Sequence, residues 1–414
     1  MSAASTPSVV ARAVQSISFA LPAVAPALTG APPRFLADDE AEVCGVGIVK
    51  RADLERPDFV AQHFPDPKEK GDQWVANLRS SSDEAVRAAG HYLAATLSWE
   101  SASPALRERI EACGSNGDCI VQQLQTAMFG GSNATREIDA LVGEAVTTTD
   151  PFLYATAVQA CHAWDTKSKR GGRCQLITLD RWTQLDGDNF VPWVFRAAAA
   201  QAQGDMAGRG EALYRASIAS TSHIAGQELL GRTLASMPND LSELERLRLH
   251  IGATGVASAW VFPSFQTITG YCTADAIRDA NVHQVCEGLT SVLADRSNTL
   301  MERAIGIRMA ERLGWPEERV AARKRDRDAF YQVASSAAPT DALDCASLRK
   351  QNDDFSRRSR LGELAFSRAL IAESKQTVDA LAKQFAGAMA TFARAVAASA
   401  AAASAASAAD TGAR

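Results

Sequence analysis

The chain has no uninterrupted apolar run of about 18 residues, so no membrane-spanning helix is expected. It also has no excess of basic charge. Lys and Arg number 43 against 48 Asp and Glu, for a formal net charge of -5. With no broad positive surface to neutralise phosphates, nucleic acid is not an expected partner. Even the most basic stretch, Pro316 to Phe330, sets five basic against four acidic side chains. Runs of β-branched residues are scarce while alanine is abundant, which argues for helix over strand. Only six histidines occur, and none stands in His-Glu-x-x-His. No serine occupies a Gly-x-Ser-x-Gly elbow, and the glycine pair Gly130 and Gly131 lacks the lysine of a phosphate loop. Ser347 to Lys350 has Ser-x-x-Lys spacing without its companion motifs. From these absences no catalytic residue, metal ligand or cofactor is assigned.

What remains is a chain of 414 residues, 46% hydrophobic, able to bury a large core. Residues 1–37 carry few charges and form either a disordered tail or a poor export leader around Ile17 to Leu28, where two prolines interrupt the apolar stretch. Residues 38–335 read as one succession of short helices, 336–396 as a C-terminal helical region and 397–414 as a low-complexity tail. Ser82 is placed to cap a helix whose Val86, Ala89, Leu93 and Leu97 share a face. Pro151 suits a first helical turn, Gly314 a left-handed helix end and Pro316 the start of the next helix. Val378, Leu381, Phe385, Ala388, Phe392 and Ala395 form a packing seam near the C-terminus. The expected fold class is all-α, an array of antiparallel helical hairpins with disordered termini.

The stretch Gln184 to Trp193, QLDGDNFVPW, could be an acidic ion loop or a turn between helices. A calcium loop needs glycine sixth and glutamate twelfth. Here Gly187 comes second and Ala197 stands twelfth, so the turn is preferred. The residues that follow, Asn189 to Ser220, set Trp193, Ala197, Ala200, Gly204, Asp205, Leu213 and Ala216 at the positions of a large aromatic, small packing residues and a helix-ending glycine. This segment resembles one tetratricopeptide-type unit. Arg209 and Thr221 depart from that pattern, and no second copy is readable at 34-residue spacing. The resemblance implies a helical-hairpin solenoid, with Trp193, Ala197, Gly204, Leu213 and Ala216 as repeat-packing residues. An irregular helical bundle is the alternative.

Eight cysteines fall largely into local pairs. Cys113 and Cys119 bracket a turn, Cys161 and Cys174 could staple one helical hairpin, and Cys272 and Cys286 another. Cys44 and Cys345 are left over, and pairing them would tie the N-terminal region to the C-terminal part. Eight cysteines allow 105 connectivities, so local spacing suggests these pairs without settling them. Disulfides imply the periplasm or the outside of the cell, while buried thiols in the cytoplasm are the alternative. Cys272, His283 and Cys286 could instead supply three of the four ligands of a zinc site.

The leading functional expectation is a non-enzymatic, exported, disulfide-stapled scaffold that binds a protein or peptide partner. Two alternatives stand beside it. One is an enzyme whose site assembles from scattered residues such as His162, His223 or His250. The other is a secreted effector acting on a host partner.

Overall fold

The computed structural model describes residues 36–64, 68–96, 104–114, 119, 123, 132–165, 172–258, 260–336 and 342–412. Residues 1–35 of the leader segment lie outside them. In chain order the elements begin with β1 (Glu40–Val43), β2 (Gly47–Lys50), α1 (Pro57–His63), α2 (Lys68–Arg79), α3 (Glu84–Thr96), α4 (Pro104–Ala112), α5 (Ser132–Ala145) and α6 (Pro151–Asp165). They continue with α7 (Leu179–Leu185), α8 (Phe190–Ala202), α9 (Met206–Ser217), α10 (Gly226–Ala235), α11 (Glu243–Ser258) and α12 (Phe265–Thr269). The last are α13 (Ala280–Ser291), α14 (Leu300–Arg312), α15 (Glu317–Ser336), α16 (Cys345–Leu361), α17 (Glu363–Ser374) and α18 (Val378–Gly412). The fold is all-α.

The chain forms two compact units from alternating stretches. Unit one takes Met1–Ile177, Arg232–Trp260 and Asp341–Asn352, and unit two takes Thr178–Gly231, Val261–Thr340 and Asp353–Arg414.

In unit one, β1 and β2 pair antiparallel, Glu40 opposite Lys50 and Val43 opposite Gly47. This hairpin departs from the helical expectation for residues 38–335. Gly45 (φ 81°) and Gly47 (φ 104°) take left-handed conformations that side chains disfavour, and so reverse the chain within a few residues. Helix α3 also starts one residue later than its sequence suggests. Asp83, not Ser82, caps it, with Oδ1 accepting from Ala85 and Val86 N–H at 2.9 and 3.1 Å. Its buried face is Ala85, Ala88, Ala89, Tyr92 and Leu93. Gly90 lets α3 approach α2 closely, since a Cβ there would lie 2.6 Å from Arg79 N. The core is anchored by Trp74, whose Nε1 donates to Thr233 O at 3.2 Å.

Unit two holds two helical hairpins built alike. In the first, Asn189 caps α8, Gly204 (φ 75°) ends it, and α9 returns. In the second, Thr299 caps α14, Gly314 (φ 73°) ends it, and α15 returns. Both first helices are 13 residues long. Both close with the same pair of backbone bonds: Asp205 N to Ala200 O and Gly204 N to Gln201 O, then Trp315 N to Ala310 O and Gly314 N to Glu311 O. The likeness lies in capping geometry, and the two sequences share little else.

The C-terminal helix α18 docks its first turns on α15. Leu381 packs with Ala329 and Val333, Phe385 stacks on Tyr331 at 5.5 Å, and Asp379 meets Arg325 at 3.4 Å. The seam stops there, because Met389, Phe392 and Val396 are exposed. The backbone remains helical to Gly412, through the alanine-rich stretch that reads as a low-complexity tail. Alanine has the highest helix propensity of any residue, which accounts for the continuation.

Candidate functional site

The acidic stretch from Gln184 to Trp193 becomes part of a junction within unit two. Three segments meet there: the turn Asp186 to Asn189, the extended segment Ser220 to Ile224, and the turn Arg296 to Thr299. Main-chain bonds join them, with Phe190 N donating to Thr221 O, Ser222 N to Arg296 O and Asn298 N to Ser222 O. Two asparagines complete the arrangement. Asn189 Oδ1 accepts from Val191 N as a helix cap and from His223 N at 2.9 Å. Its Nδ2 donates to Asp186 Oδ2 at 2.8 Å and to His223 O at 3.0 Å. Every hydrogen-bonding position of that buried amide is used. Asn298 grips the next residue in the same manner, with Oδ1 accepting from Ile224 N and Nδ2 donating to Ile224 O.

Beneath this clamp lies Glu302, fully buried on α14. It forms a capping box with Thr299: Thr299 Oγ1 accepts from Glu302 N at 3.2 Å and donates to Glu302 Oε2 at 2.8 Å. Ser222 Oγ donates to the other carboxyl oxygen at 2.5 Å. Burial pushes the Glu302 carboxyl up to about 7, against the hydrogen bonds from Ser222 and Thr299 that favour its charged form. Burial also raises Asp186, opposed by the Asn189 amide. His223 sits at the rim, its Nε2 3.2 Å from Glu228 Oε2 and its Nδ1 accepting from Asn298 Nδ2 at 3.1 Å.

The histidines proposed from sequence divide between the two units. His162 and His250 belong to unit one and His223 to unit two. His250 is buried, with Nδ1 3.1 Å from Asn352 Oδ1, and burial lowers it to about 4. A fourth, His91, was missed by the sequence reading. Its Nδ1 lies 2.8 Å from Glu137 Oε2, and Glu137 also takes Arg79 Nη1 at 2.7 Å and Arg136 Nη2 at 3.1 Å. Burial alone would raise Glu137, yet the hydrogen bonds from His91 and Arg136, with the charge of Arg79, hold it below the usual carboxylate range. Three basic groups converging on one buried carboxylate is the pattern of a structural ion network.

The cysteines stand in four disulfides: Cys44–Cys345, Cys113–Cys119, Cys161–Cys174 and Cys272–Cys286, with Cα separations of 4.5, 5.6, 5.5 and 5.7 Å. Cys272 and Cys286 therefore have no thiolates to offer zinc alongside His283. Among the described residues no group of three or more His, Cys, Asp or Glu is placed to hold a metal ion. No described helix is long and apolar enough to cross a membrane.

The repeat-packing residues divide by role. Ala197, Leu213 and Ala216 lie in the core between α8, α9 and α13. Trp193 is half-buried against it, its Nε1 donating to Gly187 O at 2.7 Å, and Gly204 supplies the left-handed turn. This packing fixes one face of α9 inward and leaves the other outward. At helical spacing the outward face carries Met206 (60% exposed), Gly210 and Tyr214 (45%), and Ile218 (57%) continues the stripe at the C-cap. A Cβ at Gly210 would meet nothing within 4 Å. The flank carries an exposed ion pair, Arg215 Nε to Glu211 Oε1 at 2.8 Å.

The second hairpin shows what such a face becomes when covered. Counted from the capping residues Asp205 and Pro316, Tyr214 stands where Arg325 stands and Ile218 where Ala329 stands. Those are two of the residues on which α18 lies. Comparison of the chain with protein-family models, curated proteins and solved structures returns no match.

Proposed function

We propose that this protein is a non-enzymatic helical scaffold, exported and stapled by disulfides, that seats an amphipathic helix of a protein partner on the outward face of α9. The observation that carries this reading is the contrast between two like hairpins. In one, the returning helix is covered by α18 through Leu381 and Asp379. In the other, the equivalent positions hold the exposed Tyr214 and Ile218. Single exposed apolar residues are ordinary, but an aligned series along one helix and its C-cap is an apolar stripe of the kind that packs against the apolar face of an amphipathic helix. The four disulfides support an oxidising compartment, where such bonds persist.

A displayed library of amphipathic helical peptides, selected against the purified protein, tests the docking face. Enriched peptides are expected to carry apolar residues at i, i+3 or i+4 and i+7. Their affinity should fall by about tenfold or more for the double variant Tyr214→Glu, Ile218→Glu, equivalent to about 1.4 kcal/mol or more. Peptides that bind the double variant as tightly as the parent would remove α9 from the proposal. For the compartment, alkylation without reductant followed by intact-mass measurement should leave the protein unmodified. Labelling of all eight thiols in protein isolated under oxidising conditions would overturn the stapled, exported reading.

A further inference from the structure

Unit two contains a buried cation with no ion-pair partner among the described residues. Arg303 on α14 is 6% exposed, and its Nε is buried without a hydrogen-bond acceptor. Among the described residues no carboxylate lies within ion-pair distance of its guanidinium. Its packing partner is the buried ring of Phe330, whose centroid is 5.6 Å away. A second guanidinium, that of Arg368 on α17, lies 6.0 Å from the same centroid. Arg368 is exposed and likewise has no acid partner among the described residues.

The neighbouring acids do not resolve the imbalance. Asp295 is already held by Arg319 at 3.1 Å and by Arg323 at 2.7 Å. Asp326 is close enough to favour the charged form of Arg303 but stands outside ion-pair distance. Burial first, then the neighbouring Arg368, holds the Arg303 pKa below the usual arginine range. Leu300 and Leu364, packed with Phe330, form an apolar wall beside the two arginines.

A buried charge with no hydrogen-bonded acid is unfavourable; the Phe330 ring and the more distant Asp326 and Asp295 offset part of that cost, and the neighbouring Arg368 adds to it. A guanidinium offers its donors as a rigid fork that matches the oxygens of a phosphate or carboxylate, and it retains its charge under all ordinary conditions. We propose that Arg303 and Arg368 form a binding site at Phe330 for an oxyanion, a phosphate-type group carried by a small molecule. The buried Arg303 supplies the fixed charge and the exposed Arg368 closes over the bound group. This site is separate from the α9 face and does not depend on it.

The test uses inorganic phosphate as the probe and the full chain as the sample. Thermal unfolding is followed across a phosphate titration, with sodium chloride at matched ionic strength as the control and sodium citrate as a carboxylate comparison. Phosphate stabilises many proteins by exclusion from their surfaces, so the decisive comparison is between variants. Wild type should show a saturable rise in Tm with phosphate that chloride does not reproduce. Arg368→Ala, at an exposed position, should weaken the apparent affinity by about tenfold or more. Arg303→Met should abolish the saturable response while melting higher than wild type in phosphate-free buffer, because it removes a buried charge that has no ion-pair partner. If wild type and Arg368→Ala respond alike, or if phosphate does no more than chloride, the site does not exist. A saturable response to citrate alone would overturn the phosphate assignment. Should Arg303→Met fail to fold, the comparison with Arg368→Ala still decides.

Discussion

Gly306→Ala is expected to destabilise unit two by about 2 kcal/mol and Gly306→Val by about 3 kcal/mol or more, because that position has no room for a side chain. Gly306 on α14 faces the π-helical turn Val292–Arg296, and a Cβ there would come within 2.8 Å of both Ala294 Cα and Leu293 C. These are backbone atoms of a buried segment and cannot swing aside as a flexible side chain could. Helix propensity pulls the other way, since alanine is favoured over glycine by about 1 kcal/mol in a helix interior. The comparison with α9 separates the two effects. Gly210→Ala meets open space and should stabilise by up to about 1 kcal/mol. Urea unfolding of the variants decides the matter by the sign of the midpoint shift. A Gly306→Ala midpoint at or above wild type would mean that the π-helical turn yields to a side chain at that position.

The two units should also answer pH in opposite senses. Glu302 in unit two has a folded pKa of about 7 against an ordinary 4.5, so the fold favours its neutral form. Its contribution is fully present below about pH 4.5 and is lost as pH rises through about 7. His250 in unit one is displaced the other way, to about 4 from 6.5, so the fold favours the neutral imidazole. Its contribution is present above pH 6.5 and is lost as pH falls through about 4. At about 1.4 kcal/mol per pH unit, each displacement corresponds to about 3 kcal/mol. Unfolding measured from pH 4 to 8 should show unit one weakening on the acid side and unit two on the alkaline side. Glu302→Gln should flatten the alkaline limb and His250→Gln the acid limb. If each variant keeps the wild-type profile, these two groups are not the source of the pH dependence.

How far the sequence reaches can be judged from particular residues. Gly204 and Gly314 announce helix ends because a left-handed residue is a local requirement that glycine meets at little cost. The first hairpin is legible for the same reason, from Asn189 through Ala216. Glu302 was missed although Thr299-x-x-Glu302 is a readable capping box. Its burial depends on Ser222, 80 residues earlier, which no local pattern reveals. The clamp made by Asn189 and Asn298 on His223 and Ile224 is likewise a product of non-local return. The β1–β2 hairpin is short enough for its glycines to pass as ordinary loop residues. The outward face of α9 was hidden by composition, because Met206, Tyr214 and Ile218 look like core residues until the packing of Leu213 and Ala216 fixes the rotation of the helix.

The Cys44–Cys345 bridge carries a consequence for how the chain comes into being. Its partners are 301 residues apart, whereas the other pairs are separated by 6, 13 and 14. Unit one cannot be completed until Asp341–Asn352 has been made, after most of unit two. At ordinary synthesis rates of 5–20 residues per second, Cys44 waits roughly 15–60 s for its partner. During that interval the three short loops can close, and a bond from Cys44 to any of their sulfurs would be an error to be undone. Closure of the long bridge thus marks a finished molecule, while the short ones record only that a neighbourhood has formed.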